Sequence, residues 1–117
     1  MSAETKENTE AVLAHHLQAL MSRDLDELLK DYAPESILCT PNGTCQGLEG
    51  IRATFLGLLG MVPPEVIANI KLIRQDVNGE YAYILWSAAP AVPFGGDTFR
   101  VHDGKIVMQT FVGQMAP

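Results

Sequence analysis

Asp97 is the residue of this sequence best suited to proton transfer. In a strand predicted at 97–102, alternate side chains point to the same face, so Asp97 shares a face with Phe99 and Val101. Apolar surroundings raise the pKa of a carboxyl group, which can then act as general acid, general base or neutral hydrogen-bond donor. The alternative is that Asp97, which follows Gly95-Gly96, lies at the wet end of its strand or caps a turn.

His16 is predicted to face inward from the first helix. Helical residues are spaced about 100° apart, which puts His16 roughly 60° from the centre of an apolar stripe and His15 nearly opposite. The stripe consists of Val12, Leu13, Leu17, Leu20 and Met21. An inward imidazole can exchange protons with Asp97 near neutral pH. The alternative is a histidine at the edge of the core, bonded to a backbone carbonyl; His15 is expected to be solvated.

Tyr32 and Trp86 are candidates for orienting a ligand. Tyr32 ends the apolar stripe of a predicted second helix, and its hydroxyl can serve a ligand or a polar group of the core. Trp86, the only tryptophan, is predicted to form a pocket wall, ordinary core or a dimer contact. Further candidates for the pocket lining are side chains that are equally compatible with plain core: Phe55, Leu59, Met61, Phe99, Gln109 and Phe111.

The elements that position these residues change type midway along the chain. Apolar spacing predicts helices from about Thr9 or Glu10 to Ser22, from Asp24 to about Tyr32, and from about Leu48 to Leu59. Alternating patterns predict strands at Ile37–Thr40, Val66–Val77, Tyr81–Ala89, Asp97–His102 and Lys105–Val112, with Pro90–Gly96 as a connection. Asn78-Gly79 and Asp103-Gly104 are hairpin signals. The sequence therefore predicts an α+β fold in which N-terminal helices cover one face of an antiparallel meander.

The two cysteines flank a third predicted hairpin. If Asn42-Gly43 is the two-residue loop, Thr40 faces Cys45 and Cys39 faces Gln46. The two sulfur atoms then point to opposite faces, so we expect free thiols rather than a disulfide. Neither cysteine has a basic neighbour in sequence that would lower its pKa, which argues against a nucleophilic role.

The order of elements resembles the nuclear transport factor 2-like superfamily, and in particular its SnoaL-like and ketosteroid-isomerase-like domains. Three stretches carry the likeness: 23–33, with an aspartate–leucine–aspartate joint; 47–52, with the pattern G-x-x-G-I-R; and 97–106, the last hairpin. The resemblance covers nearly the whole chain from about residue 10. It implies that the helices close a strongly bent antiparallel sheet into a cone with an internal pocket.

Ketosteroid isomerases, which belong to this superfamily, suggest which positions of the pocket carry polar side chains. They use an aspartate base on the first strand, with a tyrosine and a protonated aspartic acid as oxyanion donors. By local match these positions fall on Thr40, His16 and Asp97. Threonine does not act as a base near neutral pH, so the resemblance implies a related pocket that includes Thr40 rather than the same isomerase chemistry.

Composition excludes several classes of function. The net charge is −6, and no basic face is visible, so we expect no binding to nucleic acid or to anionic membranes. The spacing of the histidines and cysteines does not fit a metal site, and no nucleotide or cofactor motif is present. We therefore expect neither a metal nor a cofactor. The first residues lack the features of a signal peptide, which makes the cytoplasm the expected compartment.

These observations lead to two hypotheses about function. The first is a cofactor-independent isomerase, cyclase or hydrolase that acts by proton transfer on a small apolar carbonyl or polycyclic compound. The second is a non-catalytic module that binds a small ligand or dimerises. In either case we expect a flexible segment at 1–9, one domain at 10–117, and a homodimer formed through the outer sheet face around Tyr81, Tyr83 and Leu85.

Overall fold

The computed structural model describes residues 3–114, which form four helices and six strands. The helices are α1 (Ala3–Met21), α2 (Leu25–Leu29), α3 (Leu48–Met61) and α4 (Pro64–Ala68). The strands are β1 (Tyr32–Thr40), β2 (Gly43–Gln46), β3 (Lys71–Asn78), β4 (Tyr81–Ala88), β5 (Val92–His102) and β6 (Lys105–Gln114). The predicted α+β class is confirmed.

The six strands form one curved sheet in the order β2-β1-β6-β5-β4-β3. Hairpins join β3 to β4 and β5 to β6 as predicted; the second turns at Asp103-Gly104, whereas the first turns at Gly79-Glu80, one residue later than the predicted Asn78-Gly79. The sheet is mixed rather than wholly antiparallel, because β1 pairs with β6 in parallel. Helices α1 and α3 pack against this sheet and α2 packs against α1 and α3; the core contains Leu13 of α1, Leu28 of α2 and Phe55 of α3.

The first helix begins at Ala3, six residues before the predicted start at Thr9, so residues 3–8 belong to α1. Thr9 is buried, and its hydroxyl donates a 2.7 Å hydrogen bond to the carbonyl oxygen of Gly79 in the turn between β3 and β4. This tertiary contact holds the N-terminal half of α1 against the turn between β3 and β4. The polar composition of this segment alone had predicted a flexible N-terminus.

The second helix ends before Tyr32, which was predicted to be its last apolar residue. The predicted N-cap is confirmed, since the Asp24 carboxylate accepts a 3.1 Å hydrogen bond from the backbone N–H of Glu27. Tyr32 instead begins β1 and pairs with Ile106 of β6. The preceding carbonyl, of Asp31, accepts a hydrogen bond from the backbone N–H of Ile106, so sheet pairing replaces the last helical turn.

The hairpin between β1 and β2 turns one residue earlier than predicted. Thr40 pairs with Gly43, which makes Pro41-Asn42 the loop, and Gly43 has a φ of 136° that favours glycine. Cys45 therefore lies opposite Leu38, and Cys39 lies opposite Thr44. The two thiols still occupy alternating positions on the ribbon, and both cysteines are free as expected.

Two observed element boundaries differ from the predicted ones, in segments that contain prolines and glycines. Pro64 opens the short helix α4, where the sequence pattern predicted the start of a strand at Val66, and β3 begins only at Lys71. Strand β5 begins at Val92, so the predicted connection at Pro90–Gly96 is largely strand. Within the described residues no helix is long and apolar enough to cross a membrane.

Candidate functional site

A cavity of about 680 Å³ lies between the sheet and the helices α1, α3 and α4. Its walls are mainly apolar, and this volume falls in the range of small-molecule sites. The buried polar side chains of the lining are Asp97 and Gln109 of the sheet and His16 of α1. Asp97 is the only carboxylate among the lining residues in the described part of the chain. The negative charge of the described lining therefore lies on Asp97.

Asp97 lies on the inner face of β5 and is 5% exposed. In the sheet it stands opposite Ile84 of β4 on one side and Phe111 of β6 on the other. The predicted strand alternation holds, since Phe99 and Val101 are also buried. The structure therefore places the carboxyl group in the cavity and not at a wet strand end.

Two neutral side chains hold the Asp97 carboxylate from the neighbouring strands. The indole Nε1 of Trp86 donates a 2.8 Å hydrogen bond to Oδ1, and the amide Nε2 of Gln109 donates a 2.7 Å hydrogen bond to Oδ2. Trp86 lies two residues beyond the partner of Asp97 on β4, and Gln109 lies two residues before its partner on β6. Both donors therefore share the face of Asp97 because strand side chains alternate with a period of two.

Burial raises the pKa of Asp97 from 3.8 to about 6. The hydrogen bonds from Trp86 and Gln109 act in the opposite direction, because they stabilise the charged form. The result is a carboxyl group whose two protonation states interconvert near neutral pH. That property suits a group that must both take up and release a proton.

The hydrogen bonds continue from Gln109 to α1. The Tyr32 hydroxyl donates to Oε1 of Gln109, and it lies 3.5 Å from Nδ1 of His16. Burial, with a smaller contribution from His15, lowers the pKa of His16 to about 4, and burial raises the pKa of Tyr32 well above its ordinary value. His16 is thus neutral at neutral pH, and it is connected to Asp97 through Tyr32 and Gln109.

Most of the predicted lining residues surround the cavity. The structure places there Asp97, His16, Thr40, Phe55, Leu59, Met61, Trp86, Gln109 and Phe111. Tyr32 and Phe99 do not line it, which corrects their predicted positions. Phe99 is fully buried and packs edge-on against the His16 ring at 5.6 Å, so it lies behind the wall. Tyr32 is 3% exposed; its hydroxyl donates to Gln109, and its ring packs edge-on against the His16 ring at 6.1 Å.

The aromatic wall beside Asp97 depends on a glycine. The Trp86 ring stacks on Phe111 with 6.1 Å between centroids and an interplanar angle of 13°. Trp86 pairs with Gly95, where an added Cβ would lie 2.1 Å from the indole Cζ2 atom. The sequence left pocket wall, ordinary core and dimer contact open for Trp86; the structure places it in the wall and adds a hydrogen bond to Asp97 that was not predicted. That bond becomes visible once the pairing of 81–88 with 92–100 is known.

His15 is only partly solvated, contrary to the expectation from its helical angle. Its Nδ1 lies 2.7 Å from Oδ2 of Asp31, and its Nε2 lies 2.8 Å from Oε1 of Glu27. These hydrogen bonds raise the pKa of His15. Glu27 lies in α2 and Asp31 lies between α2 and β1, so the pattern of the first helix alone could not reveal either contact. Within residues 3–114, no group of three or more His, Cys, Asp or Glu side chains could hold a metal ion.

Sequence comparison assigns the family. A family model for the SnoaL-like domain matches residues 13–109. The chain belongs to the SnoaL-like domain family. None of the curated proteins matches this sequence.

Solved structures share the fold of this SnoaL-like domain at low sequence identity. A SnoaL-like protein of unknown function from Burkholderia thailandensis is 17% identical, with a TM-score of 0.77 over 97% of this chain and 98% of that one. TerC, co-crystallised with polyporic acid, is 15% identical, with a TM-score of 0.72 over 92% of each chain. An epoxide hydrolase of the LEH-like type from M. tuberculosis is 14% identical, with a TM-score of 0.69 over 93% of this chain and 84% of that one.

Proposed function

We propose that this SnoaL-like protein is a cofactor-independent acid–base enzyme that acts on a small apolar carbonyl or polycyclic compound. Asp97 is the group that exchanges the proton. The observation that carries the proposal is a single buried carboxylate, held by Trp86 and Gln109, at the wall of an apolar cavity.

The reaction that fits this arrangement begins with a carbon acid. One oxygen of the Asp97 carboxylate removes a proton from a carbon next to a carbonyl group, and the electron pair of the broken C–H bond forms an enolate. The protonated Asp97 then returns its proton to another atom of the enolate, which gives an isomer. Alternatively, the enolate carbon attacks a second carbonyl carbon and closes a ring, the π electrons of that carbonyl move to its oxygen, and Asp97 returns the proton to the resulting alkoxide. Each route transfers protons and electron pairs within the substrate and consumes no redox equivalent.

The surroundings of Asp97 support both steps. Its pKa of about 6 gives a carboxylate at neutral pH that is a stronger base than an ordinary aspartate. Trp86 and Gln109 fix its orientation, which limits the loss of freedom on reaching the transition state. Similar folds include an epoxide hydrolase and a protein crystallised with polyporic acid, which is compatible with chemistry or ligand binding in this architecture.

A non-catalytic ligand-binding or dimerisation module is the second candidate. It is favoured by the absence of a second carboxylate among the described lining residues and by Thr40 at the position that would hold the base of a ketosteroid isomerase. This candidate predicts that ligands enter the cavity and leave it chemically unchanged.

Deuterium exchange tests the enzymatic proposal without knowledge of the natural substrate. We expect the protein to accelerate exchange of the protons next to the carbonyl of 2-tetralone in D₂O, with a rate that rises through about pH 6 as Asp97 ionises. Asp97→Asn should lower the protein-catalysed rate at least about 100-fold, because it removes the base.

Asp76→Asn is the matched control, since Asp76 is an exposed strand carboxylate paired with Arg74. It should leave the exchange rate unchanged. Equal rates for the wild type and Asp97→Asn would contradict the acid–base role. Binding of 2-tetralone without any exchange would favour the non-catalytic module.

A further inference from the structure

Gln109 and Tyr32 connect Asp97 to His16 by hydrogen bonds. When Asp97 is ionised, the donor and the acceptor of each of these bonds are determined. An ionised carboxylate only accepts hydrogen bonds, so the amide nitrogen of Gln109 must face Asp97. The amide oxygen then faces Tyr32, whose hydroxyl proton is donated to it. The Tyr32 oxygen is left as an acceptor, and the nitrogen that lies 3.5 Å from it, Nδ1 of His16, can bond to it only in the tautomer that carries the proton on Nδ1.

This direction determines the tautomer of His16. If Nδ1 carries the proton that is donated to Tyr32, Nε2 of the neutral ring holds a lone pair. The ring is neutral because burial disfavours its charged form. His16 thus presents a hydrogen-bond acceptor, although a tyrosine at the same place in a ketosteroid isomerase would present a donor.

Nε2 of His16 opens into the cavity. His16 is 4% exposed, lines the cavity, and has no partner for Nε2 among the residues the structure describes. No side-chain nitrogen or oxygen in that part of the chain is both fully enclosed and without a partner. Nε2 therefore reaches the open volume, where only a ligand or water can bond it.

Three side-chain donors of the lining are already engaged, whereas Asn42 and Thr44 are exposed at the β1–β2 hairpin. The hydroxyl groups of Thr40 and Thr54 donate to the backbone carbonyls of Gly43 and Gly50. The Trp86 indole donates to Asp97. At neutral pH both Asp97 and His16 are acceptors, so a hydroxyl or N–H group on a ligand can bond to either of them.

We propose that His16 Nε2 is a second binding point of the cavity, which accepts a hydrogen bond from a hydroxyl or N–H group on an apolar ring compound. The inference deepens the proposed function and rests on it, because it uses the same cavity and adds that a hydroxyl or N–H group on the ring compound strengthens binding there. His16 thereby acts in recognition, and Tyr32 is a positioning residue that keeps the proton on Nδ1.

Two probes of nearly equal shape test this binding point. 2-Naphthol carries the required hydroxyl, and 2-methoxynaphthalene replaces it with an ether. At pH 8 we expect 2-naphthol to bind the wild type about tenfold more tightly, as one net hydrogen bond implies. In ¹⁵N NMR spectra, the free protein should carry the His16 proton on Nδ1, and 2-naphthol alone should shift the Nε2 resonance.

Variants separate His16 from the other acceptor. His16→Phe should remove the preference for 2-naphthol, and Tyr32→Phe should reduce it because Nδ1 loses its acceptor and the ring can change tautomer. The matched control is His15→Phe, since His15 is adjacent on α1 but does not line the cavity, and it should keep the preference.

Three results would overturn the inference: a His16 proton on Nε2 in the free protein, no preference between the probes, or a preference that survives in His16→Phe. A preference lost only in Asp97→Asn would place the hydroxyl on Asp97 and would likewise overturn it. None of these results decides whether Asp97 exchanges protons, because the 2-tetralone assay measures that separately.

Discussion

Asp97 lies between two donors that come from strands on either side of its own. Its inward direction, and that of His16, could be predicted because local periodicity decides which face of a strand or helix a side chain occupies. The bonds from Trp86 and Gln109 could not be predicted, because they depend on the register between β4, β5 and β6. Most residues of the candidate site could thus be predicted from the sequence, but the hydrogen bonds between them could not.

The indole N–H of Trp86 should hold the pKa of Asp97 down. Trp86→Phe keeps an aromatic ring but removes the donor to Oδ1, so the carboxylate loses one of its two stabilising bonds. We expect the pKa of Asp97 to rise above about 6, as measured by the ¹³C shift of its carboxyl carbon during a pH titration.

The control for this change is Phe111→Leu, which alters the ring stacked on Trp86 and leaves the indole N–H in place. It should move the pKa of Asp97 less than Trp86→Phe does. An unchanged or lower pKa in Trp86→Phe would show that the indole does not stabilise the charged form.

Ionisation of Asp97 should cost stability. Its folded pKa of about 6 lies above the ordinary value of 3.8, so the folded state binds more protons between these values. The resulting stabilisation is present below pH 3.8 and is lost as the pH rises through 6, with a total of about 3 kcal/mol. The buried neutral His16, whose pKa is lowered to about 4, contributes the opposite slope in the same range.

Comparing urea unfolding of the wild type and Asp97→Asn isolates the contribution of Asp97, because both proteins retain His16. The free energy of unfolding of the wild type should fall relative to that of the variant as the pH rises from 4 to 7. Parallel pH profiles would contradict a raised pKa in the folded state.

Among the elements, strand β5 differs most from its sequence pattern. Gly95-Gly96 reads locally as a turn, yet both residues pair with β4. The indole of Trp86 packs over Gly95, so the glycine gives space for a side chain that is distant in sequence. The parallel pairing of β1 with β6 is likewise invisible to local patterns, because the two strands are far apart in sequence.

Gly95 should position Trp86 for its bond to Asp97. A Cβ in Gly95→Ala would meet the indole at 2.1 Å, so the ring must move. We expect a loss of about 1–3 kcal/mol in the free energy of unfolding. The fluorescence of Trp86, the only tryptophan, should also lose its dependence on pH around 6, because the ring no longer reports on the Asp97 carboxylate.

Gly96→Ala is the matched control one residue further along β5. There the nearest atom to an added Cβ is the Ile84 carbonyl oxygen at 3.7 Å, which is an ordinary contact. This variant should retain the pH-dependent fluorescence. The positioning role of Gly95 is refuted if both variants behave alike.

At the scale of the whole molecule, the outer face of strand β4 exposes apolar side chains to solvent. Tyr81 is 52% exposed and Tyr83 is 40% exposed on the outer side of β4. An exposed apolar face of this kind favours association, and we expect two copies to pair through it.

Sedimentation tests this expectation. The wild type should sediment as a dimer at micromolar concentration, and Tyr83→Glu should weaken the dimer at least about 30-fold if Tyr83 is central to the interface. Leu56→Glu, on the exposed side of α3, is the control and should leave the dimer intact. A wild type that is monomeric at this concentration would remove the prediction.

The titration of Asp97 most directly tests the central claim that its carboxyl group is buried in the cavity and exchanges protons near neutral pH. The ¹³C resonance of its carboxyl carbon, followed from pH 3 to pH 9 in the intact protein, reports the protonation of this one group. A carboxyl buried in the apolar cavity and held by two neutral donors should titrate with a midpoint of about 6. A midpoint near 3.8, the ordinary value, would mean that the carboxylate is solvated, and it would contradict both the buried site and the proton transfer assigned to it.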